Sequence, residues 1–265
     1  MFKFRQAAMA SLAATVMLLP VEAFSLDAAG VLRQASRAMG ATGLHSLRYV
    51  GSGTAASSGQ ALKPGSSRPM RKLSRYVRSI NYESASLSEE ATEQPAGGGA
   101  PSTNGAQSER PGSTFVSGPY AWNMAGAAAI PALPAASERV HELWITPHGV
   151  IKAAIRNHAT LEWKKQGGRS LAAVSFAEPG RFKATAYINE KFLVEKVESR
   201  LPAQGKGETM VVTNYSEYQS FGPIMFPMQI RQSAGGRLVL DVTVRETQPN
   251  TPINITAPES LRTPR

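Results

Sequence analysis

A two-residue alternation of apolar and polar side chains is the feature that most constrains how this chain can fold. It runs through residues 172–176, 182–188, 193–201, 226–231 and 238–245. A strand points successive side chains to opposite faces, so each segment predicts a strand with one apolar face and one wet face. Turn sequences such as Glu178-Pro-Gly180 and Ala234-Gly-Gly236 separate these segments. Because short turns join antiparallel neighbours, the second half of the chain predicts an antiparallel meander.

Helical signals occur in three places. Residues 25–39 combine a capping Ser25 or Asp27 with an apolar stripe, and glycines follow the segment. Two short helices are expected at residues 137–146 and 147–157. Pro147 should end the first of these, and it suits the first position of the second. Helices beside an antiparallel sheet predict an α+β fold.

The first half of the chain adds further strands and an insertion. Strands are expected at residues 44–53, 70–86 and 113–124, with a loop at 57–69. Residues 87–112 are dominated by Ser, Glu, Gly and Pro, and such a segment cannot bury enough apolar surface to offset the entropy of ordering. We therefore expect one domain over residues 24–250, with a disordered insertion at about 87–112. The proline-rich residues 251–265 predict an extended tail.

The first 23 residues have the pattern of a secretory signal peptide. Lys3 and Arg5 precede an apolar run, and small residues precede a cut after Ala23. The run is too short for a typical transmembrane helix, although an uncleaved anchor is the alternative. The chain contains no cysteine, which excludes disulfides and a lipid-anchored lipoprotein. We expect a periplasmic or secreted protein that begins near Phe24.

The formal net charge of +10 indicates contact with anionic partners. The densest basic run gives four candidate contacts to an anionic envelope surface: Arg71, Lys72, Arg75 and Arg78. The alternative is that the run is only a solvated face of a strand. The other Lys and Arg residues are scattered, so we expect no nucleic-acid partner.

Catalytic and metal-binding motifs are missing from the sequence. It has no G-x-S-x-G element and no cysteine nucleophile. His141, Glu142 and His148 are candidate metal ligands, but Pro147 interrupts the helix that would align the two histidines, and the sequence places no third strong ligand beside them. The prediction is therefore a non-catalytic protein without cofactor or metal, while an enzyme of another kind stays open.

The order of elements resembles the periplasmic lipoprotein-carrier family. The segments YINEKFLVEKVESR and TNYSEYQSFGPIMFPMQIRQSAGGRLVLDVTVRETQPN look like sheet strands of that family. The resemblance implies a curved antiparallel sheet, or half-open barrel, with helices on its concave side. It also implies a lipid or other apolar ligand.

A closer likeness is to the N-terminal region of exported proteins whose C-terminal half is a metallo-β-lactamase-fold hydrolase. Tyr215-Ser-Glu-Tyr218, Phe226-Pro227 and Gln248-Pro-Asn250 follow a pattern expected in that group. Such a hydrolase needs an H-x-H-x-D-H cradle, and none of the four histidines here has H-x-H spacing. This likeness therefore implies the fold and the compartment, and a metallo-hydrolase as a partner, but not the hydrolase activity.

Met and aromatic side chains are the candidates for lining an apolar cavity on the concave side. They are Phe115, Trp122, Trp144, Phe182, Met225, Phe226 and Met228. Plain core packing is the alternative for all of them. Pro223 and Pro227 bracket three apolar residues, which would either close the cavity mouth or offer a surface to a partner.

The preferred function is an exported binding module for a lipid or other apolar or anionic ligand. The alternative is an accessory domain that docks to a metallo-hydrolase.

Overall fold

The computed structural model describes residues 26–56, 69–94, 110–179, 181–202 and 207–262, and within them thirteen strands form one antiparallel sheet. The strands are β1 Ser46–Ala56, β2 Met70–Asn81, β3 Ser86–Gln94, β4 Arg110–Ser117, β5 Tyr120–Ala125, β6 Ala128–Pro131, β7 Thr160–Gln166, β8 Arg169–Glu178, β9 Phe182–Ile188, β10 Val194–Pro202, β11 Glu208–Phe221, β12 Ile224–Ala234 and β13 Arg237–Pro249. The predicted signal peptide and the loop at 57–68 lie outside the described residues.

The sheet is built from two meanders that meet at one long-range pairing. Its order is β6-β5-β4-β3-β2-β1-β13-β12-β11-β10-β9-β8-β7, so the first and last strands of the chain are neighbours in its middle. The end strands β6 and β7 do not pair with each other within the described residues, and the curved sheet stays unclosed. This confirms the predicted α+β fold with a half-open antiparallel barrel.

Four helices accompany the sheet within the described ranges. They are α1 Ala28–Met39, α2 Ala136–Trp144, α3 Pro147–Arg156 and the one-turn α4 Glu259–Arg262, and a 3-10 turn at Leu133–Ala135 precedes α2. The Asp27 carboxylate caps α1 by accepting from the Gly30 amide at 2.6 Å. Thr146 caps α3 in the same way, with Pro147 at its first position as predicted. The first three helices contact the sheet and share one apolar core with it.

The chain makes a sharp corner between α2 and α3. A Cβ atom at Gly149 would lie 2.4 Å from the Leu143 carbonyl oxygen, so a larger residue cannot fit there. The corner directs the buried residues of both helices toward the sheet, where Leu143, Val150 and Ile151 are fully covered. It also fixes the position of α2 over strands β3 and β4, which decides where the cavity described below lies.

The first meander has more strands than the sequence predicted, because turns divide two of the expected strands. Residues 113–124 were expected to be one strand, but they belong to β4 and β5, which pair through a turn with Gly118 at a φ of 57°. The segment 70–86 was expected to be one strand, but β2 ends at Asn81 and β3 begins at Ser86. The Asn81 side-chain oxygen accepts from the amides of Glu83 and Ser84, which stabilises the turn. Strand β3 then occupies residues that were expected to be disordered, and β4 begins at Arg110. Residues 95–109 of that insertion lie outside the described part of the chain.

The two prolines near the start of β12 fit the sheet for different reasons. Pro223 and Gly222, which has a φ of 58°, form the two-residue turn between β11 and β12. Pro227 pairs with Tyr218, three positions beyond the pair that closes the turn. Because hydrogen-bonded and non-bonded pairs alternate, the nitrogen of Pro227 faces away from β11. Pairing of β12 with β13 starts only at Gln229, so the missing N–H interrupts neither ladder.

The segment after β13 crosses the end of the sheet in extended form before α4. The Asn250 side chain accepts from the His45 amide and donates to the Gly43 carbonyl, both at 2.8 Å. Farther along, the Asn81 side chain donates to the Ile253 carbonyl at 3.0 Å. These bonds attach residues 250–253 to the ends of β1 and β2. The extended tail over 251–265 stays a prediction, since α4 lies within that range and residues 263–265 lie outside the described part of the chain.

Candidate ligand-binding cavity

A cavity of about 770 Å³ lies between α2 and the concave face of the sheet. Residues from β1 to β4 and from β10 to β13 form its walls together with α2 and the 3-10 turn before it. Binding sites for small molecules have typical volumes of about 300–1,000 Å³. The cavity is therefore large enough for a ligand with a long apolar part.

Aliphatic side chains line much of the cavity wall. They are Ala55, Ala56, Leu87, Ala135, Leu201, Val211, Ala234, Leu238, Val239 and Leu240. Strand alternation explains the set on the sheet, because Leu87 and Val211 stand on the side of their strands that faces the core. Leu238 is 38% exposed and stands at the open side. A wall of this kind favours an apolar chain without fixing its position.

One guanidinium group and two carboxylates form the polar part of the cavity. Arg78 on β2 is 7% exposed. Its Nη2 donates to Glu89 Oε2 at 2.5 Å, and its Nη1 lies 3.5 Å from Glu142 Oε2. Tyr76 also donates its hydroxyl to Glu89 Oε2, at 2.6 Å. Burial by itself raises the pKa of Glu89, but Arg78 and these hydrogen bonds outweigh it and hold the pKa below its usual value.

Glu142 on α2 is less fully compensated than Glu89. Both of its oxygens lie 3.1 Å from Gln232 Nε2, which donates to them, and its ion pair with Arg78 is longer than that of Glu89. Burial raises the pKa of Glu142, and Arg78 offsets this only in part. Glu142 therefore accepts fewer hydrogen bonds from the protein than a carboxylate can accept.

His141, the residue before Glu142, is fully buried and also lines the cavity. Its Nε2 lies 2.8 Å from Ser199 Oγ, and the Ser199 hydroxyl donates to the Val211 carbonyl at 3.4 Å. Ser199 therefore accepts from Nε2–H, and Nδ1 is left as an unprotonated acceptor with no hydrogen-bond partner. Burial lowers the pKa of His141 to about 4, so the ring is neutral at pH 7.

Arg139 attaches α2 to the neighbouring strands. Its Nη1 donates to the carbonyls of Phe115 and Trp122 at 2.8 and 2.7 Å, and its Nη2 donates to Asn123 Oδ1 at 2.5 Å. These three neutral acceptors direct the guanidinium into the wall of the cavity, although its charge still helps to lower the pKa of Glu89. It positions the helix that carries His141 and Glu142.

The seven aromatic and Met residues predicted to bind a ligand are spread over the molecule, and none of them lines this cavity. Trp122, Trp144, Phe182 and Phe226 are buried in packing contacts. Phe226 lies with its ring centre 5.1 Å from Tyr49 and 5.9 Å from His148, and Phe182 meets the edge of His141 at 4.9 Å. Phe115 stacks on Trp122, and Met225 and Met228 are half-buried. Ligand contact by these residues stays a prediction.

The segment between the two prolines is mainly interior. Ile224 is 2% exposed and Phe226 is not exposed, while Met225 is half-buried. A docking surface built on this segment would need these side chains to face solvent. The segment therefore offers no exposed apolar patch to a partner.

The four basic residues predicted to contact an anionic surface are divided by the sheet. Arg78 faces the concave side, where the two carboxylates hold it. Lys72 and Arg75 are exposed, and Arg75 lies 3.6 Å from Glu90 on the next strand. Arg71 is half-buried near the start of β2. Contact of Arg71, Lys72 and Arg75 with an anionic surface stays a prediction.

The sequence reasoning missed Glu89 and Gln232, and it considered Glu142 only as a metal ligand. The position of Arg78 could have indicated this cluster from the sequence. Arg78 lies two residues from both Tyr76 and Ile80, so its side chain is on the same, apolar face of the strand. A charge on that face requires a buried partner. Which residues supply it depends on tertiary contacts, because Glu89 lies 11 positions along the chain on the next strand and Glu142 lies on α2. A single sequence does not show such distant contacts.

The described part of the chain brings no three His, Asp or Glu side chains together in a way that could hold a metal ion. His148 Nε2 instead donates to the Met39 carbonyl at 2.9 Å. Among the described residues, no helix has the length and apolar character needed to cross a membrane.

Comparison with known proteins gives a likeness of fold. No family model matches the chain, and no curated protein matches it. A LolA superfamily protein from Nitrosomonas europaea aligns over 91% of this chain and 99% of its own, with a TM-score of 0.52 at 14% identity. A putative outer membrane lipoprotein-sorting protein domain from Vibrio parahaemolyticus aligns over 86% and 95%, with a TM-score of 0.49 at 9% identity. The first likeness agrees with the predicted lipoprotein-carrier-like fold, while the relation to metallo-β-lactamase-fold proteins stays a prediction.

Proposed function

We propose that this chain is a binding module for an amphiphile, whose apolar part lies in the cavity between α2 and the sheet. The observation that carries the proposal is the open cavity of about 770 Å³, with an aliphatic wall and a small buried polar cluster. Sites for small ligands combine these two features, because the apolar wall supplies affinity and a few polar groups fix orientation. The fold shared with a LolA superfamily protein supports the proposal.

Export to the periplasm or the medium is part of the same proposal. It rests on the predicted signal peptide at residues 1–23 and on the basic net charge. A partnership with a metallo-hydrolase rests on sequence resemblance alone, and the buried Ile224 and Phe226 give it no surface.

Filling the cavity tests the proposal. Ala234 lines the cavity near the end of β12 and is partly exposed, so a larger side chain can enter the space without disrupting the core. We expect Ala234→Trp to lower the affinity for the apolar probe N-phenyl-1-naphthylamine by at least about tenfold, since it occupies volume that the ligand needs. Probe fluorescence gives the affinity, and native mass spectrometry shows whether a co-purified lipid is lost.

The matched control is Ala177→Trp on β8, where the alanine is exposed and does not line the cavity. This variant should bind like the wild type. Equal binding by both Trp variants, or no binding by the wild type, would show that the cavity is not a ligand site.

A further inference from the structure

The polar cluster of the cavity has more hydrogen-bond acceptors than donors. Arg78 is shared between two carboxylates, and Gln232 Nε2 is shared between the two oxygens of Glu142. A carboxylate can accept about four hydrogen bonds. Glu89 Oε1 receives no hydrogen bond within the described residues, since Arg78 and Tyr76 both donate to Oε2. The two carboxylates therefore keep accepting capacity that faces the cavity.

His141 provides a second, independent sign of a missing donor. Its Nδ1 is buried and has no hydrogen-bond partner, and it lies 4.0 Å from Glu142 Oε1. That distance is too long for a hydrogen bond between the two groups. Buried polar atoms in native proteins are nearly always paired, so an orphaned acceptor beside a carboxylate points to a donor that binds between them.

Arg139, the half-buried cation of the cavity wall, does not supply that donor. Arg139 is directed toward three neutral acceptors in the wall. Glu138, which lies on α2, is the third carboxylate at the cavity, and it is exposed. Arg237 is exposed at the start of β13, next to the turn that joins it to β12. Arg139 is half-buried, and its charge helps to lower the pKa of Glu89, but its hydrogen bonds go to the wall and not to a carboxylate. Among the described residues that line the cavity, Arg78 is thus the one buried cation that Glu89 and Glu142 share.

We propose that the amphiphile carries a primary ammonium group, which donates to the carboxylates of Glu89 and Glu142 and to His141 Nδ1. This inference rests on the proposed function, because it assigns the polar end of the same ligand. An ammonium group has three donors and one positive charge, which match the surplus acceptors and the second carboxylate. An anionic head group would instead have to displace a carboxylate from Arg78, and a neutral alcohol would leave the second carboxylate uncompensated.

Three probes with the same ten-carbon chain separate the head groups: decylamine, decanol and decanoate. At pH 7 the amine is protonated, as a lysine side chain is. Isothermal titration calorimetry below the micelle concentration should give an affinity for decylamine about tenfold higher than for decanol, with decanoate weakest. The net charge of +10 attracts decanoate to the protein surface, so a preference for the amine cannot arise from net charge.

Glu142→Gln keeps the size of the side chain and removes its charge. We expect this variant to lose most of the preference for decylamine over decanol, because one of the two carboxylates that bind the ammonium group is removed. The matched control is Glu90→Gln, next to Glu89 on β3, because Glu90 pairs with exposed Arg75 and does not line the cavity. That variant should keep the preference. If Glu142→Gln does not fold, the ranking of the three probes on the wild type still decides.

The outcomes separate the two proposals. Binding of decanol together with tighter binding of decanoate, or an amine preference that survives Glu142→Gln, overturns the ammonium assignment and leaves the binding module standing. Failure of all three probes to bind overturns both proposals.

Discussion

Two buried histidines are the residues whose protonation most directly affects stability. His141 and His148 are both 0% exposed, and burial lowers the pKa of each from 6.5 to about 4. Each ring keeps one hydrogen bond through Nε2, to Ser199 and to the Met39 carbonyl. The His148 ring also stacks on Phe226 in the core. Protonation of His148 inside the folded protein would place a charge in the apolar core. His141 lies 4.0 Å from the Glu142 carboxylate and near Glu138, yet burial outweighs their attraction and keeps its pKa low.

This arrangement predicts a loss of stability as the pH falls. The unfolded chain protonates these histidines near pH 6.5, whereas the folded protein resists protonation until about pH 4. The contribution of each neutral histidine is therefore fully present above pH 6.5 and decreases as the pH falls toward 4. For one histidine with this shift, linkage gives a loss of about 2 kcal/mol in the free energy of unfolding between pH 7 and pH 5.

His148→Gln tests this prediction, because glutamine does not titrate. Urea unfolding at pH 7 and pH 5 should show that this variant loses about 2 kcal/mol less than the wild type across the interval. The control is His158→Gln, which removes an exposed histidine. An unchanged pH dependence in His148→Gln would show that His148 takes up a proton in the folded state.

The polar cluster shows what the sequence can reveal about a single residue. Arg78 on an apolar strand face implies a buried partner, and Glu142 next to a buried histidine on α2 is one candidate. The actual partners depend on how α2 is placed over β3, which the corner at Gly149 and the contacts of Arg139 decide. These are tertiary contacts, and local patterns do not encode them. The aromatic residues were easier to notice, yet most of them fill the core.

At the scale of elements, the junction between α1 and β12 depends on one glycine. Gly40 ends α1 with a φ of 69°, a conformation that side chains with a Cβ atom rarely adopt. A Cβ atom at this position would lie 2.1 Å from the Pro223 carbonyl oxygen. Gly40→Ala would therefore strain the backbone and push α1 away from the turn before β12.

We expect Gly40→Ala to lower the free energy of unfolding by about 2 kcal/mol or more. Gly43→Ala is the matched control, since a Cβ atom there meets nothing within 4 Å. Denaturant unfolding of the two variants gives the comparison. Equal stability of Gly40→Ala and Gly43→Ala would mean that α1 and the β11–β12 turn can separate without cost.

The elements themselves were predictable where a local signal was strong. Pro147 gave both the end of α2 and the start of α3, and alternation gave the strands of the second meander. The division of 70–86 into β2 and β3 was missed, because the turn contains neither Gly nor Pro and depends on the Asn81 side chain. Strand β3 was missed because its sequence is polar, and it is held by the neighbours β2 and β4 on both sides.

At the scale of the whole molecule, the middle of the sheet is the best-supported region. There β1 pairs with both β2 and β13, and a Cβ atom at Gly53 would lie 2.0 Å from the Asp241 carbonyl oxygen. Leu47, Val242 and Val244 on these strands are fully buried. The edge strands lack this support, since each pairs on one side only within the described sheet.

Hydrogen exchange should therefore slow from the edges of the sheet toward its middle. Amides of β1 and β13 should exchange only through global unfolding, because buried residues and two neighbouring strands protect them. Amides of β6 and β7 should exchange by local fraying, since nearly all residues of β7 are exposed and β6 has four residues. Hydrogen exchange followed by peptide mass spectrometry measures this difference.

The measurement at two protein concentrations is the control, because protection of β7 that grows with concentration would show that a second copy pairs with this edge. Protection of β6 and β7 equal to that of β1 at both concentrations would contradict an open sheet, since only a closed barrel leaves no strand at an edge.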